Sequence, residues 1–76
     1  MKYWYIVDER AHFDGKNIGK PISAEVVDVV PRSGSGDYEW HDTERVEDGV
    51  YICRRWKKTK KDAAEEIRFW MNGAGK

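Results

Sequence analysis

The sequence predicts an α+β domain in which a three- to four-stranded antiparallel sheet carries one C-terminal α-helix packed on one face. Two observations place the strands. Aromatic and β-branched residues gather in short runs before Thr59, and Glu47-Asp48-Gly49 stands between two of those runs as a turn. A third places the helix: apolar positions take up helical spacing only after Thr59.

KYWYIVDE, residues 2–9, is the first predicted strand. Trp4 and Ile6 fall on one side of it and Tyr3, Tyr5 and Val7 on the other, so it is expected to be a central strand or one with an apolar outer face. AHFDGKNIGKP, with Asp14-Gly15, Gly19 and Pro21, reads as a loop or wide turn. ISAEVVDVV, residues 22–30, is the second strand, closed by Pro31 and the tract RSGSG.

DYEWHDTERV (37–46) and VYICRRWKK (50–58) form a hairpin around a three-residue loop, with Gly49 at a left-handed position. Setting Val46 opposite Val50 places Glu44 against Ile52, Asp42 against Arg54, Trp40 against Trp56 and Tyr38 against Lys58. One face then collects Tyr38, Trp40, Val46, Val50, Ile52 and Trp56, whereas a slip of one residue separates the two tryptophans.

The helix is expected over residues 60–72, with Thr59 as N-cap, Asp62 three residues on and Gly73 at the end. Ala63, Ala64, Ile67, Trp70 and Met71 form its apolar arc, while Phe69 projects from nearly the opposite side beside Asp62, Glu65 and Glu66. A single helix covers one face of the sheet, so the other is expected to show aromatics and cations to solvent.

A chain of 76 residues supports one modest core. Cys53 is the sole cysteine, so no intrachain disulfide forms, and no Cys/His spacing suits zinc. Together with an amino terminus unlike a signal peptide and no run of membrane-spanning length, this makes a cytoplasmic protein the expectation. The formal net charge is zero, which speaks against a general attraction to nucleic acid or anionic membranes. The charge is nonetheless segregated: residues 37–48 hold six acids and one cation, and residues 54–61 hold six cations and no acid.

Few motifs carry chemistry. GKNIGKP lacks the glycine spacing, the Ser/Thr and the following helix of a phosphate-binding loop. The hairpin register sets Cys53 opposite Thr43 with His41 diagonal to it, a Cys-His pair without the electropositive pocket a reactive thiol needs. His12 has no partner in view. The acidic block lacks the glycine and ligand spacing of a calcium loop, and a small sheet offers no cleft for a glycosidase carboxylate pair. The expectation is a protein without enzymatic activity, cofactor or metal.

Arg54, Arg55, Lys57, Lys58, Lys60 and Lys61 could contact phosphates while Tyr51 or Trp56 stacks on a base. Strand alternation divides them, however, putting Tyr51, Arg55 and Lys57 on one face and Arg54 and Trp56 on the other. Asp42 opposite Arg54 and Glu39 opposite Lys57 neutralise part of what remains.

The order of strands and helix, with RRWKKTKKDAAEEI joining the last two elements, resembles the three-stranded-sheet-plus-helix DNA-binding domains at the front of some phage integrases, which are usually more basic. KYWYIVDE, DYEWHDTERVEDG and YICRRWKK, in one small domain with excess aromatics and segregated charge, also resemble small phage accessory proteins, anti-CRISPR proteins among them. That likeness implies an inhibitor that occupies the surface of a host nucleic-acid-handling protein or ribonucleoprotein complex. The expected function is thus protein binding, with DNA or RNA binding through residues 54–61 as the alternative. Tyr5, Tyr51, Arg55, Trp56 and Phe69 are the expected anchors, and Asp37, Glu39, Asp42, Lys57 and Lys58 the steering rim. A homodimer would bury what one helix leaves open.

Overall fold

A computed structural model describes residues 2–32 and 41–73, with residues 42 and 43 described by their backbone alone. Four strands form one antiparallel sheet: β1 (Tyr3–Phe13), β2 (Ile18–Pro31), β3 (His41–Glu47) and β4 (Val50–Lys57), followed by helix α1 (Lys60–Met71). Their order across the sheet is β2-β1-β4-β3. The α+β class with a helix packed on an antiparallel sheet is therefore the architecture, and the apolar first strand lies inside it, between β2 and β4.

The segment expected to be a loop is mostly strand. β1 extends to Phe13 and β2 begins at Ile18, with Ala11 opposite Pro21 and Phe13 opposite Ile18. The chain reverses over Asp14–Asn17, where the Asp14 carboxylate accepts from the Lys16 and Asn17 backbone N–H groups at 3.0 and 2.8 Å. Those bonds hold the Asp14 carboxyl below the usual carboxylate range. Pro21 and Gly19 do not break the pairing because β2 is an edge strand, where a missing N–H is tolerated.

The second hairpin turns on two residues, not three. Asp48 and Gly49 both have positive φ, 53° and 76°, the requirement of the tight turn whose twist matches paired strands. Glu47 thus faces Val50, Val46 faces Tyr51 and Arg45 faces Ile52, each one residue away from the expected register. An irregularity between Asp42 and Arg45 absorbs the difference, so that Asp42 meets Arg54 as expected and His41 meets Arg55. Cys53 lies across from that irregular stretch instead of squarely opposite Thr43. Val46 consequently joins Tyr51, while Val50, Ile52 and Trp56 occupy the opposite face. The expected pairings of Tyr38, Glu39 and Trp40, and Asp37 with them, lie outside the described residues.

Helix α1 starts where Thr59, in extended conformation, accepts the Asp62 backbone N–H on its hydroxyl at 3.0 Å. It ends where the Asn72 N–H returns to the Arg68 carbonyl and Gly73 turns away with φ of 90°. Ala63 and Trp70 are buried and Ile67 half-buried against the sheet. Ala64 and Met71, expected in the same arc, are exposed. The seam that touches the sheet is narrower than the arc, because the spacing 63, 66, 67, 70 faces inward and positions 64 and 71 lie off its edge.

The helix lies on the face that carries Val7, Glu9 and Ala11 of β1 with Tyr51, Cys53, Arg55 and Lys57 of β4. Trp70 anchors it. Its ring stacks against Tyr51 at 6.1 Å between centroids, and its indole N–H donates to the Arg10 carbonyl at 3.0 Å. Val7, Ala11 and Cys53 of the sheet and Ala63 of the helix are fully buried at this contact. The opposite face is not bare: Trp4, Ile6, Asp8 and Ile52 are buried there, and the Arg32 guanidinium lies 5.2 Å from the centre of the Trp4 ring. No helix among the described residues is long and apolar enough to cross a membrane.

Candidate functional site

Packing α1 over β1 and β4 leaves a line of charged side chains along the seam on the β4 side. Glu9, at the centre of β1, has no exposed surface. Its Oε1 accepts from Arg55 Nε at 2.8 Å, and the same nitrogen lies 3.4 Å from Oε2 of Glu66 on α1. Lys57 Nζ approaches the other oxygen of Glu66 at 3.7 Å. One guanidinium thus bridges a sheet carboxyl and a helix carboxyl, and a lysine flanks the second.

Outward from this cluster the seam opens into a groove of about 280 Å³ lined by Lys57, Asp62, Glu65, Glu66 and Phe69. Helical spacing puts Asp62, Glu65, Glu66 and Phe69 together, since residues three and four apart share a flank. Phe69 is 64% exposed, the largest value among the exposed large apolar side chains. Among the described residues, no ion pair engages the side chain of Asp62 or Glu65.

On its other side the cluster meets Tyr51, Cys53 and β3. Burial raises the Tyr51 phenol well above its usual range, with Cys53 and Glu44 adding to the effect. Burial likewise pushes the Cys53 thiol up to about 11, which keeps it protonated and a poor nucleophile. His41, diagonal to that thiol in the expected register, sits 2.9 Å from Glu44. Among the described residues no group of His, Cys, Asp and Glu side chains is arranged to hold a metal ion.

Of the expected anchors, Tyr5, Tyr51 and Arg55 share the helix-covered face with Lys57, and Phe69 borders it from α1. Tyr51 is engaged by Trp70 and Arg55 by two carboxyls, so both are built into the fold's seam. Trp56 stands on the opposite face beside Ile6, with Arg54 beside Asp8 and across from Asp42. Asp37 and Glu39 lie outside the described residues. In the basic block, Arg54, Lys60 and Lys61 are exposed, while Lys57 and Lys58 are half-buried.

Glu9 and Glu66 were not among the expected residues, although each leaves a signal. Glu9 occupies the same strand face as Val7 and Ala11, and Glu66 completes the spacing Ala63, Ile67, Trp70. An acid at an apolar position on both elements marks a charged contact between them.

No family model matches the chain, and neither a curated protein nor a solved structure does.

Proposed function

We propose that this chain is a protein-binding module that grips a basic side chain of its partner in the groove beside α1, acting by occupancy without catalysing a reaction. The observation that carries this reading is the position of Phe69. A highly exposed aromatic ring stands at the lip of a concave surface whose walls include Asp62, Glu65 and Glu66. A lysine or arginine entering there would meet carboxylates and lie against the ring face, a contact worth about 0.5–1 kcal/mol at exposed sites. The carboxylates would steer its approach. The high pKa of the buried Cys53 thiol supports a role without nucleophilic chemistry. Small phage inhibitors, which the sequence resembles, make host nucleic-acid-handling complexes the first partners to try.

DNA or RNA binding has one observation in its favour, the exposure of Arg54, Lys60 and Lys61. Against it, Arg54 points from the sheet face opposite Lys57, and its neighbours there are compensated. Arg10 contacts Asp8 at 3.5 Å and Arg45 contacts Glu47 at 2.7 Å. Interleaved acids break any continuous track for a phosphate backbone.

Titrating the isotopically labelled chain with a short arginine- and lysine-rich peptide, and with an acidic peptide of equal length, tests the reading. The basic peptide is expected to shift the amide signals of residues 62–69, and Glu65→Lys to abolish those shifts. Absence of shifts with the basic peptide, or equal shifts with the acidic one, overturns it. Binding to a DNA or RNA panel that collapses between about 50 and 200 mM salt transfers the function to the second reading.

A further inference from the structure

Glu9 does not line the groove, and protein binding gives it no task. Its carboxyl is nevertheless an unusual object: it is wholly buried at the middle of the sheet, and Oε2 has no hydrogen-bond partner. A carboxylate oxygen without a donor is strongly disfavoured in such a place. Arg55 does not supply the missing bond: its Nε donates to Oε1 and lies 3.4 Å from Glu66, and no guanidinium N–H reaches Oε2. Two carboxylates facing one N–H would also repel each other. A proton on Glu9 Oε2, directed at the Glu66 carboxylate, removes both difficulties at once.

We propose that Glu9 and Glu66 share a proton and that this carboxyl–carboxylate hydrogen bond fastens α1 to β1, so that docking of the helix is linked to pH. Cys53 faces Glu9 across the β1–β4 ladder, with Tyr51 and Lys57 two residues to either side of the Cys53–Arg55 pair. Glu44 and His41 of β3 lie beyond Tyr51 and Arg55, and Asp62 and Glu65 flank Glu66 on α1. On this face β2 presents Ala24 and Val26 opposite Glu9 and Val7, which add no charge. Among the described residues the cations at the cluster are therefore Arg55 and Lys57, and neither donates to Glu9 Oε2.

The direction of titration agrees. Burial first, then the neighbouring Glu66 carboxyl, pushes the Glu9 carboxyl from its ordinary 4.5 up to about 8, against the pull of Arg55. The folded chain thus binds this proton more tightly than the unfolded one. The stabilisation is complete below about 4.5, declines across the interval up to about 8, and is gone above it. Mild alkalinity loosens the helix that carries Phe69, whatever the groove binds.

Resonances of the glutamate side-chain carboxyl carbons, followed against pH in the full chain, test this. Glu9 is expected to keep the chemical shift of a protonated carboxyl at neutral pH and to titrate near 8. A midpoint near 4–5, in company with exposed glutamates, overturns the proposal. Glu9→Gln retains a donor toward Glu66 but cannot release a proton. Its stability is expected to lose the decline that the native chain shows between about pH 5 and 8. An equal decline in both chains is the contrary result. Should that variant not fold, Glu66→Gln leaves Glu9 in place and is expected to shift the Glu9 midpoint downward. An unmoved midpoint contradicts the shared proton.

Discussion

Trp70 joins the helix to two strands. It is 5% exposed, stacks on Tyr51 of β4 and donates to a carbonyl of β1, so it ties three elements at one point. Trp70→Phe keeps most of the apolar volume but leaves the Arg10 carbonyl without that donor. A loss of about 1–2 kcal/mol is expected in urea unfolding, against about 3–5 kcal/mol for Trp70→Ala, which also opens a cavity. Equal losses for the two would mean that the hydrogen bond contributes the greater part. Phe69, its neighbour in sequence, behaves in the opposite way. It touches little of the core, so Phe69→Ala is expected to change stability by no more than about 0.5 kcal/mol.

The elements show how two kinds of local rule act. Asp48-Gly49 is a conformational requirement: a Cβ at Gly49 would meet nothing nearer than the Phe13 carbonyl at 3.9 Å, yet φ is 76°. Gly49→Ala should therefore cost about 1 kcal/mol through backbone strain alone, without rearranging the hairpin. Strand β2 follows a rule of avoidance. It is a long edge strand with Ile22, Val26, Val27 and Val29 all exposed, a pattern that invites edge-to-edge association. Shifts in register toward β1 near Val27 and Ile22, Pro21 and Pro31 without N–H groups, and Asp28 accepting the Val29 N–H at 2.8 Å all interrupt that edge. Glu25 is the charge nearest its centre. Glu25→Val should leave the fold intact and raise aggregation, read by light scattering at matched concentration.

The same elements explain what could be read from the sequence. Apolar residues on both sides of KYWYIVDE pointed to a central position for β1 as one of two readings, and Thr59 with its following acid marked the start of α1, because both are local properties of the chain. The hairpin register was less legible. Loop length depended on whether Asp48 adopts positive φ, and the later irregularity restored Asp42 to Arg54 by an offset that no binary pattern records. The loop expected over residues 11–21 was misjudged because glycine and proline count as breakers, whereas an edge strand accommodates both. At the site, Phe69 was legible from the helical wheel alone. The bridge from Glu9 through Arg55 to Glu66 was not, since it depends on which sheet face the helix covers.

For the whole molecule, one helix on a four-stranded sheet divides the charge as well as the apolar surface. The basic residues of β4 do not form a single field: Arg55 and Lys57 turn under the helix toward carboxyls, and Arg54 faces away among acids. What the helix leaves open beside β4 is an acidic groove with an aromatic lip, and that groove is the centre of the functional account. Its most direct test is the affinity of the basic peptide for the native chain and for Phe69→Ala, with unfolding of both measured in parallel. Binding is expected to weaken by about two- to fivefold, equivalent to about 0.5–1 kcal/mol, at unchanged stability. Equal affinity for the two chains would contradict it.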